Sequence, residues 1–272
     1  MRIGNYKISA LETCDFALDG GAMFGIIPKN LWEKKIPADE RNRISLRCRL
    51  LLIQGNGRNI LVDTGIGEEK FSDKLKGIYK IDFSRYSLES SFAETGVKFE
   101  DITDVILTHL HFDHAGGSTR LVQGKLVPTF PNAKYYVQKA QLALAKNPSE
   151  RDEGSFFEED FGPLERAGQL VVLNGLQDIC EGVNIHVSNG HTDGQQHVIV
   201  TDGKTTLFHC ADMIPTFAHI GLPWIMGYDL RPLVTLEEKK FILAKAASGD
   251  WTLFLEHCPE HAFIKLGSGL TF

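Results

Sequence analysis

Hydrophobic residues along the chain fall mostly in short runs that predict β-strands. Residues 49–54 and 59–63 are two such runs, and Asn56 and Gly57 between them predict a tight hairpin, because Asn-Gly tolerates the positive φ that such a turn requires. Residues 104–108 form a continuous apolar run, which is typical of a strand buried on both faces. Further strands are predicted at residues 134–137, 170–173, 183–187, 197–201, 205–209 and 251–255.

Three segments have a helical pattern, at residues 88–94, 139–145 and 236–247. In the last of these, Thr235 and Glu238 have the spacing of a capping box, and Gly249 can supply the left-handed residue that follows a helix. Because two groups of strands are separated by helices, we expect two sheets packed face to face with helices outside.

Two longer stretches show no regular period. Residues 20–47 contain glycine, proline and isolated aromatics such as Phe24 and Trp32, and we interpret them as an excursion that serves as a lid or binding loop. Residues 147–168 have a similar irregular character. Neither stretch resembles a linker, so residues 1–272 are predicted to form a single domain.

Composition narrows the class of protein and its partners. The chain has 272 residues, 43% of them hydrophobic and 24% charged, which is typical of a soluble globular protein. Its formal net charge of −6 offers no general electrostatic surface for nucleic acid or an anionic membrane. Five scattered cysteines do not make a disulfide framework, and neither a signal-peptide core nor a transmembrane run is visible. We therefore expect a cytoplasmic protein with neither nucleic acid nor membrane as partner.

The strand predicted at residues 104–108 leads into a cluster of metal-binding residue types. Side chains at i and i+2 of an extended segment point the same way, so His109 and His111 can bind one ion. Asp113 and His114 follow on a turn, and imidazole and carboxylate are ligands that suit zinc or iron. Burying these groups beside a strand would be costly without a charged partner. The pattern therefore predicts a metal site.

These residues resemble the metallo-β-lactamase superfamily, and the resemblance extends over nearly the whole chain. The motifs appear in the family's order at residues 61–65 (Leu-Val-Asp-Thr-Gly), 109–114, 190–194 (Gly-His-Thr-Asp-Gly), 211–213 (Ala-Asp-Met) and at His257. The resemblance implies an α/β fold, the four-layer αβ/βα sandwich, with metal ions at one edge between the sheets.

The resemblance also implies two divalent metal ions, zinc first and iron or manganese as alternatives. Asp212 would bridge the two ions, and Asp63 would orient a ligand histidine through a hydrogen bond. Cys258 departs from the pattern, since many relatives have aspartate after the last histidine. The implied ligands are His109, His111 and His191 for one ion and Asp113, His114 and His257 for the other.

Two divalent ions about 3.5–4 Å apart lower the pKa of a bridging water and make hydroxide available as nucleophile, so hydrolysis is the expected reaction. Asp113 and Asp212 are the catalytic candidates at the ions. Tyr228 and His219 are two more, because they follow Asp212 in a segment rich in proline, glycine and aromatics that can fold back towards the metals. Either side chain could donate a hydrogen bond to a substrate oxygen.

Within the superfamily, the chain resembles the branch of N-acyl-homoserine lactonases and methyl parathion hydrolases. This resemblance implies a small-molecule lactone or carboxylic ester as substrate, and a homodimer is a possible assembly. Two alternatives stay open, a phosphotriesterase-like hydrolase and a redox dioxygenase of the same fold. A binding protein without turnover is a third alternative, against which the intact ligand set argues.

Overall fold

The computed structural model describes residues 1–249 and 251–266, so residue 250 and residues 267–272 of the predicted single domain lie outside the described residues. The strands are β1 (Arg2–Ile3), β2 (Tyr6–Asp19), β3 (Arg43–Gly55), β4 (Arg58–Val62), β5 (Asp104–Ile106), β6 (Thr119–Val122), β7 (Lys125–Pro128), β8 (Lys134–Gln138), β9 (Leu170–Leu173), β10 (Gln177–Cys180), β11 (Val183–Ser188), β12 (Gln195–Thr201), β13 (Thr206–His209), β14 (Trp251–Phe254) and β15 (Phe263–Lys265). The helices are α1 (Gly20–Phe24), α2 (Lys29–Trp32), α3 (Asp73–Tyr79), α4 (Leu88–Thr95), α5 (Phe112–Ala115), α6 (Lys139–Lys146), α7 (Glu158–Arg166) and α8 (Pro232–Ser248).

The strands form two large sheets, as predicted. One sheet has the order β1-β2-β3-β4-β5-β8-β9, and the other has the order β10-β11-β12-β13-β14-β15. The first is antiparallel from β1 to β4 and parallel from β4 to β9. In the second, β13 and β14 are parallel and the other neighbours are antiparallel. The short hairpin of β6 and β7 stands apart from both.

Apolar side chains of the two sheets meet in a shared core. Leu51 and Ile53 of β3 pack in one cluster with Val198 of β12 and Phe254 of β14. The alternating residues of β3, such as Leu52, belong to a second cluster on the other face of the same sheet. Because β3 is covered on both faces, its run from Leu50 to Ile53 is apolar without alternation.

Helices cover the outer face of each sheet. Phe92 of α4 and Leu142 of α6 pack in the cluster on the outer face of the first sheet. Ile242 and Leu243 of α8 pack with Phe208 of β13 on the outer face of the second sheet. The layers therefore run helix, sheet, sheet, helix, which confirms the predicted four-layer αβ/βα sandwich.

The predicted hairpin is confirmed, but its first strand is longer than the apolar run. Asn56 and Gly57 connect β3 to β4 with φ values of 49° and 73°. Strand β3 begins at Arg43, so the last residues of the predicted 20–47 excursion belong to the sheet. Its partner β2 was missed, because a register shift between Glu12 and Cys14 interrupts the alternation of buried and exposed positions.

In the rest of the predicted excursion the aromatic residues are buried, although most residues around them, such as Ile26, are exposed. Phe24 and Trp32 are both buried and stack with ring centroids 5.3 Å apart. The Asp19 side chain accepts a hydrogen bond from the backbone of Ala22 and caps α1. A movable lid over residues 20–47 stays a prediction.

The three predicted helices are present as α4, α6 and α8, but the start of α8 and both of its predicted caps were wrong. Helix α8 begins at Pro232, which needs no backbone hydrogen-bond acceptor in a first helical turn. The capping box is wrong because the Glu238 carboxylate accepts from the backbone of Asn189 instead. Gly249 has a φ of −120°, so it is not the left-handed residue that was predicted. None of the described helices combines the length and apolar character needed to cross a membrane.

Candidate metal centre

The sheet topology brings the loops that carry the candidate metal ligands to one edge of the sandwich. Strands β11 and β13 both run antiparallel to β12, and β14 runs parallel to β13, so these three strands end at the same edge. His191 follows β11, Asp212 lies in a short 3₁₀ turn after β13, and His257 follows β14. His109 follows β5 of the other sheet and faces them.

The first candidate ligand cluster comprises His109, His111, His191 and Asp212, whose ligand atoms all lie within 4.8 Å of one another. His109 Nε2 and His191 Nε2 lie 3.0 and 3.2 Å from His111 Nδ1. Three of the four side chains are buried and His111 is partly exposed. The three histidines predicted to share one ion therefore converge.

The second candidate ligand cluster comprises Asp113, His114 and His257, again within 4.8 Å of one another. His257 Nε2 lies 3.1 Å from His114 Nε2 and 3.7 Å from Asp113 Oδ2. Asp113 and His114 come from the single turn of α5, and His257 comes from the loop after β14. These are the three residues predicted to hold the other ion.

Asp212 lies between the three histidines of the first cluster and the residues of the second. Its Oδ1 is 3.2 Å from His114 Nε2 and 3.1 Å from His257 Nε2. Its Oδ2 is 3.3 Å from His191 Nε2. Each carboxylate oxygen thus faces a different cluster, as expected for a bridging ligand.

The outer ring nitrogens of these histidines are hydrogen-bonded, which orients the rings. His191 Nδ1 donates to the buried carboxylate of Asp229 at 2.9 Å, and His257 Nδ1 donates to the Arg47 carbonyl at 2.9 Å. With Nδ1 as donor, a neutral imidazole has its lone pair on Nε2, which faces the centre of the cluster. Asp229 was not predicted, since only the fold brings it to His191.

Asp63 orients the ring of His114 through a hydrogen bond, as predicted. Asp63 Oδ2 lies 3.0 Å from His114 Nδ1 and also accepts from Thr108 Oγ1 at 2.7 Å. Since Thr108 gives its hydroxyl proton to Asp63, its oxygen is free to accept from His109 Nδ1 at 3.0 Å. One carboxylate therefore orients a histidine in each cluster.

The donor set fits divalent cations. Nε2 of His257 and Nε2 of His114 face each other at 3.1 Å, although hydrogen-bonded Nδ1 atoms leave both with lone pairs. Asp212 Oδ1 is buried and accepts no hydrogen bond, although both of these nitrogens lie close to it. While the rings are neutral, these lone pairs repel one another unless cations lie between them; without a cation, the surrounding carboxylates favour a proton on His114, and a divalent cation takes the place of that proton. Imidazole with carboxylate suits zinc, iron or manganese.

The buried charges perturb one another strongly. Burial lowers the pKa of His109 and His111 well below its usual value. For His114, the carboxylates of Glu256, Asp212 and Asp113 outweigh burial and raise the pKa well above its usual value. The neighbouring histidines likewise outweigh burial at Asp212 and hold its pKa well below the usual range. The Asp212 carboxylate is therefore ionised at neutral pH.

Arg49 fixes the loop that carries His257. Its guanidinium is buried and donates to the carbonyls of Leu255 and Cys258, both at 2.8 Å. The thiol of Cys258 points instead towards Glu260, at 3.7 Å. Cys258 is thus a buried residue of the loop and lies outside both ligand clusters.

A cavity of about 310 Å³ opens over the two clusters. Four candidate ligands line it, namely His111, Asp113, His191 and Asp212. Tyr228, one of the two predicted auxiliary residues, lines the same cavity and is 38% exposed. Arg151 also lines it and donates to the Gly227 carbonyl at 2.7 Å, which holds the segment that carries Tyr228.

His219 occupies a different environment, which corrects its predicted catalytic role. It is buried and stacks on Phe24 with ring centroids 4.7 Å apart. Its Nε2 donates to the Met23 carbonyl at 2.8 Å, and its Nδ1 is hydrogen-bonded to Thr216 Oγ1 at 2.8 Å. With both ring nitrogens engaged, His219 ties the excursion to the segment after Asp212 and does not line the cavity.

Comparison with known proteins identifies the family. The profile described as "Metallo-beta-lactamase superfamily" matches residues 47–257. A solved structure of a probable metal-dependent hydrolase from Staphylococcus aureus superposes with a TM-score of 0.92 at 28% identity, covering 99% of this chain and 95% of that one.

Two curated relatives match over shorter stretches. A probable metallo-hydrolase of Mycobacterium bovis is 29% identical over 220 residues, which cover 73% of this chain and 65% of the relative. An N-acyl homoserine lactonase of Bacillus cereus is 24% identical over 176 residues, which cover 61% of this chain and 63% of the relative. The chain thus matches a little under two thirds of the length of either relative.

Proposed function

Because the chain belongs to the metallo-β-lactamase superfamily, we propose that it is a metal-dependent hydrolase that acts on a lactone or carboxylic ester. The observation that carries this proposal is the position of Asp212, whose two oxygens face two separate ligand clusters. His109, His111 and His191 would hold one ion, Asp113, His114 and His257 would hold the other, and Asp212 would bridge them. When bound, two such divalent ions supply Lewis-acid polarisation and an activated water.

The protein's own residues hold this centre and shape its approach. Asp63 and Asp229 fix the rings of His114 and His191 through hydrogen bonds, so the ligand atoms are preorganised. The cavity above them has apolar walls that include Leu18, Phe112 and Leu230. A polar centre under apolar walls suits a neutral ester with an apolar body.

The relative from Bacillus cereus is named an N-acyl homoserine lactonase. This name supports a lactone or ester, rather than another hydrolysable compound, as the substrate of this chain. At 24% identity this supports the reaction class without fixing the leaving group or the acyl chain. A phosphotriester and a thiol oxidised by dioxygen are the competing substrates for the same donor set.

The discriminating experiment is a substrate panel at one metal loading. We expect turnover of simple lactones, acyl-homoserine lactones and aryl esters to exceed turnover of paraoxon-like phosphotriesters, and a chelator should abolish all of these activities. Restoring the divalent metal should restore them. Full hydrolysis by metal-free protein would contradict the proposal, and oxygen consumption with a thiol and no ester hydrolysis would favour the redox alternative.

Tyr228→Phe tests the auxiliary group in the cavity. Burial, together with Tyr79, Asp19 and Asp113 nearby, raises the pKa of Tyr228, so its phenol stays protonated and can donate a hydrogen bond. We expect kcat to fall at least about tenfold, with metal content and melting temperature unchanged.

Tyr86→Phe is the matched control, because Tyr86 stacks under the Arg47 guanidinium and does not line the cavity. It removes the same hydroxyl group without touching the site, so its kcat should equal that of the unmodified protein. If kcat of Tyr228→Phe stays within about twofold, or if its loss follows a fall in melting temperature, the tyrosine has no catalytic role.

A further inference from the structure

Three buried polar side chains lie behind the second ligand cluster, on the side away from the cavity. Asp63, His209 and Glu256 are each 0% exposed, and their ligand atoms lie within 4.8 Å of one another. Asp63 is accounted for by its bonds to Thr108 and His114. His209 and Glu256 hold none of the candidate metal positions described above.

Glu256 connects two histidines. Its Oε1 lies 3.4 Å from His114 Nδ1, and its Oε2 lies 3.5 Å from His209 Nε2. Neither oxygen has a hydrogen-bond partner within the usual limits among the described residues, and neither is reached by solvent. A buried carboxyl group is costly without polar neighbours, and the two ring nitrogens are the polar atoms that face it here.

The hydrogen bonds of His209 determine which nitrogen carries its proton. The backbone N–H of Ala211 donates to His209 Nδ1 at 3.2 Å, so Nδ1 carries the lone pair. In the neutral imidazole the proton is then on Nε2, the atom that faces Glu256. Because Nε2 carries the proton in this tautomer, it has no lone pair for a third cation, although Asp63, His209 and Glu256 are ligand types.

His209 and Glu256 are also connected to the backbone next to two candidate ligands, Asp212 and His257. Ala211 immediately precedes Asp212 and has a φ of 43°, a left-handed conformation that is strained for a residue with a side chain. The backbone N–H of Ala211 donates its hydrogen bond to His209 Nδ1. Glu256 immediately precedes His257, while its carboxylate faces the ring of His114.

We propose that Glu256 and His209 are positioning residues that couple the two ligand clusters, an inference that rests on the proposed metal centre. Through Ala211 the pair sets the backbone that carries Asp212, and through Glu256 it restrains the ring of His114. Loosening the pair should therefore weaken the binding of metal, since residues that orient ligands contribute about 10–100-fold to metal affinity.

The test is a competition titration of Zn²⁺ between the protein and a chromophoric chelator, with metal content measured in parallel. Glu256→Gln keeps the shape of the side chain and replaces one of its two oxygens by an NH₂ group, which cannot accept a hydrogen bond from either histidine. We expect one of the two bound ions to bind about 10–100-fold more weakly. His209→Phe should have the same effect. His209→Gln, which can still donate to Glu256, should recover part of the affinity.

Asp104→Asn is the matched control. Asp104 is equally buried and paired with Arg58, but it lies at the start of β5, at the opposite end of the strand from the ligands. Its variant should lose stability without losing metal affinity. Co²⁺ absorption spectra of the variants add a readout of ligand geometry that a loss of stability alone does not change.

The outcomes separate this inference from the proposed function. Two ions in the unmodified protein with undiminished affinity in Glu256→Gln would overturn the positioning role and leave the hydrolase proposal intact. Three ions in the unmodified protein and two in Glu256→Gln would overturn it in favour of a third cation site. A protein that binds no divalent metal would remove the proposed function together with this inference.

Discussion

Replacing Asp212 by Ala should lower kcat for ester hydrolysis by about 10³-fold, an effect of the size expected when a charge that acts at the reacting atoms is removed. Asp212 is the side chain whose oxygens lie 3.1–3.3 Å from histidines of both clusters. Its pKa is held well below the usual range by His114, His257 and His191, so it contributes a full negative charge at neutral pH. Metal analysis of the variant should therefore give a content below that of the unmodified protein.

Two further variants show whether charge or volume matters at this position. Asp212→Asn keeps the volume and loses the charge, so it should be nearly as inactive as Asp212→Ala. Asp193→Ala removes a carboxylate close to His191 in sequence but paired with Arg231 at the surface, and it should retain full activity. Hydrolysis that persists unchanged in Asp212→Ala would mean that the reaction takes place elsewhere.

Much of the candidate site could be predicted because its residues are grouped in the sequence. His109, His111, Asp113 and His114 lie within one short segment after a buried strand, and local geometry alone directs the first two side chains to the same side. His191, Asp212 and His257 carry no such local signal, and only the resemblance to a family attached them to the same site. The sheet topology then explains the grouping, since the three strands end at one edge.

The residues that support the ligands could not be predicted in the same way. Asp229 reaches His191 across 38 positions, and Arg49 reaches Leu255 across 206. Such contacts depend on how the loops pack, which no local pattern encodes. For the same reason His219 was misjudged, because its distance from Asp212 in sequence gave no sign that Met23 and Thr216 would engage both ring nitrogens.

Replacing Gly117 by Ala should give one of the largest losses of stability in the chain. An added Cβ would lie 2.1 Å from the Thr64 carbonyl oxygen, a main-chain atom that cannot rotate away. Both segments are anchored here, because Gly117 N donates to the Gly65 carbonyl at 2.8 Å and Thr64 N donates to the His114 carbonyl at 2.8 Å. We expect the free energy of unfolding to fall by about 3 kcal/mol, the upper end for an overpacked site.

Thermal unfolding and metal analysis together test this steric interpretation. A loss of about 3 kcal/mol corresponds to a melting temperature lower by about 5–10 °C for a chain of this size. Metal content should fall as well. Relieving the overlap displaces Thr64, which is hydrogen-bonded to the main-chain carbonyl of His114, and the ring of His114 is a candidate ligand.

Gly77→Ala is the matched control, since an added Cβ there meets nothing within 4 Å and Gly77 lies inside α3, where alanine is the better helix former. Its melting temperature should stay the same or rise. Equal melting temperatures for Gly117→Ala and the unmodified protein would mean that the segments at Thr64 and Gly117 can separate at little cost, and that their close approach does not hold His114 in place.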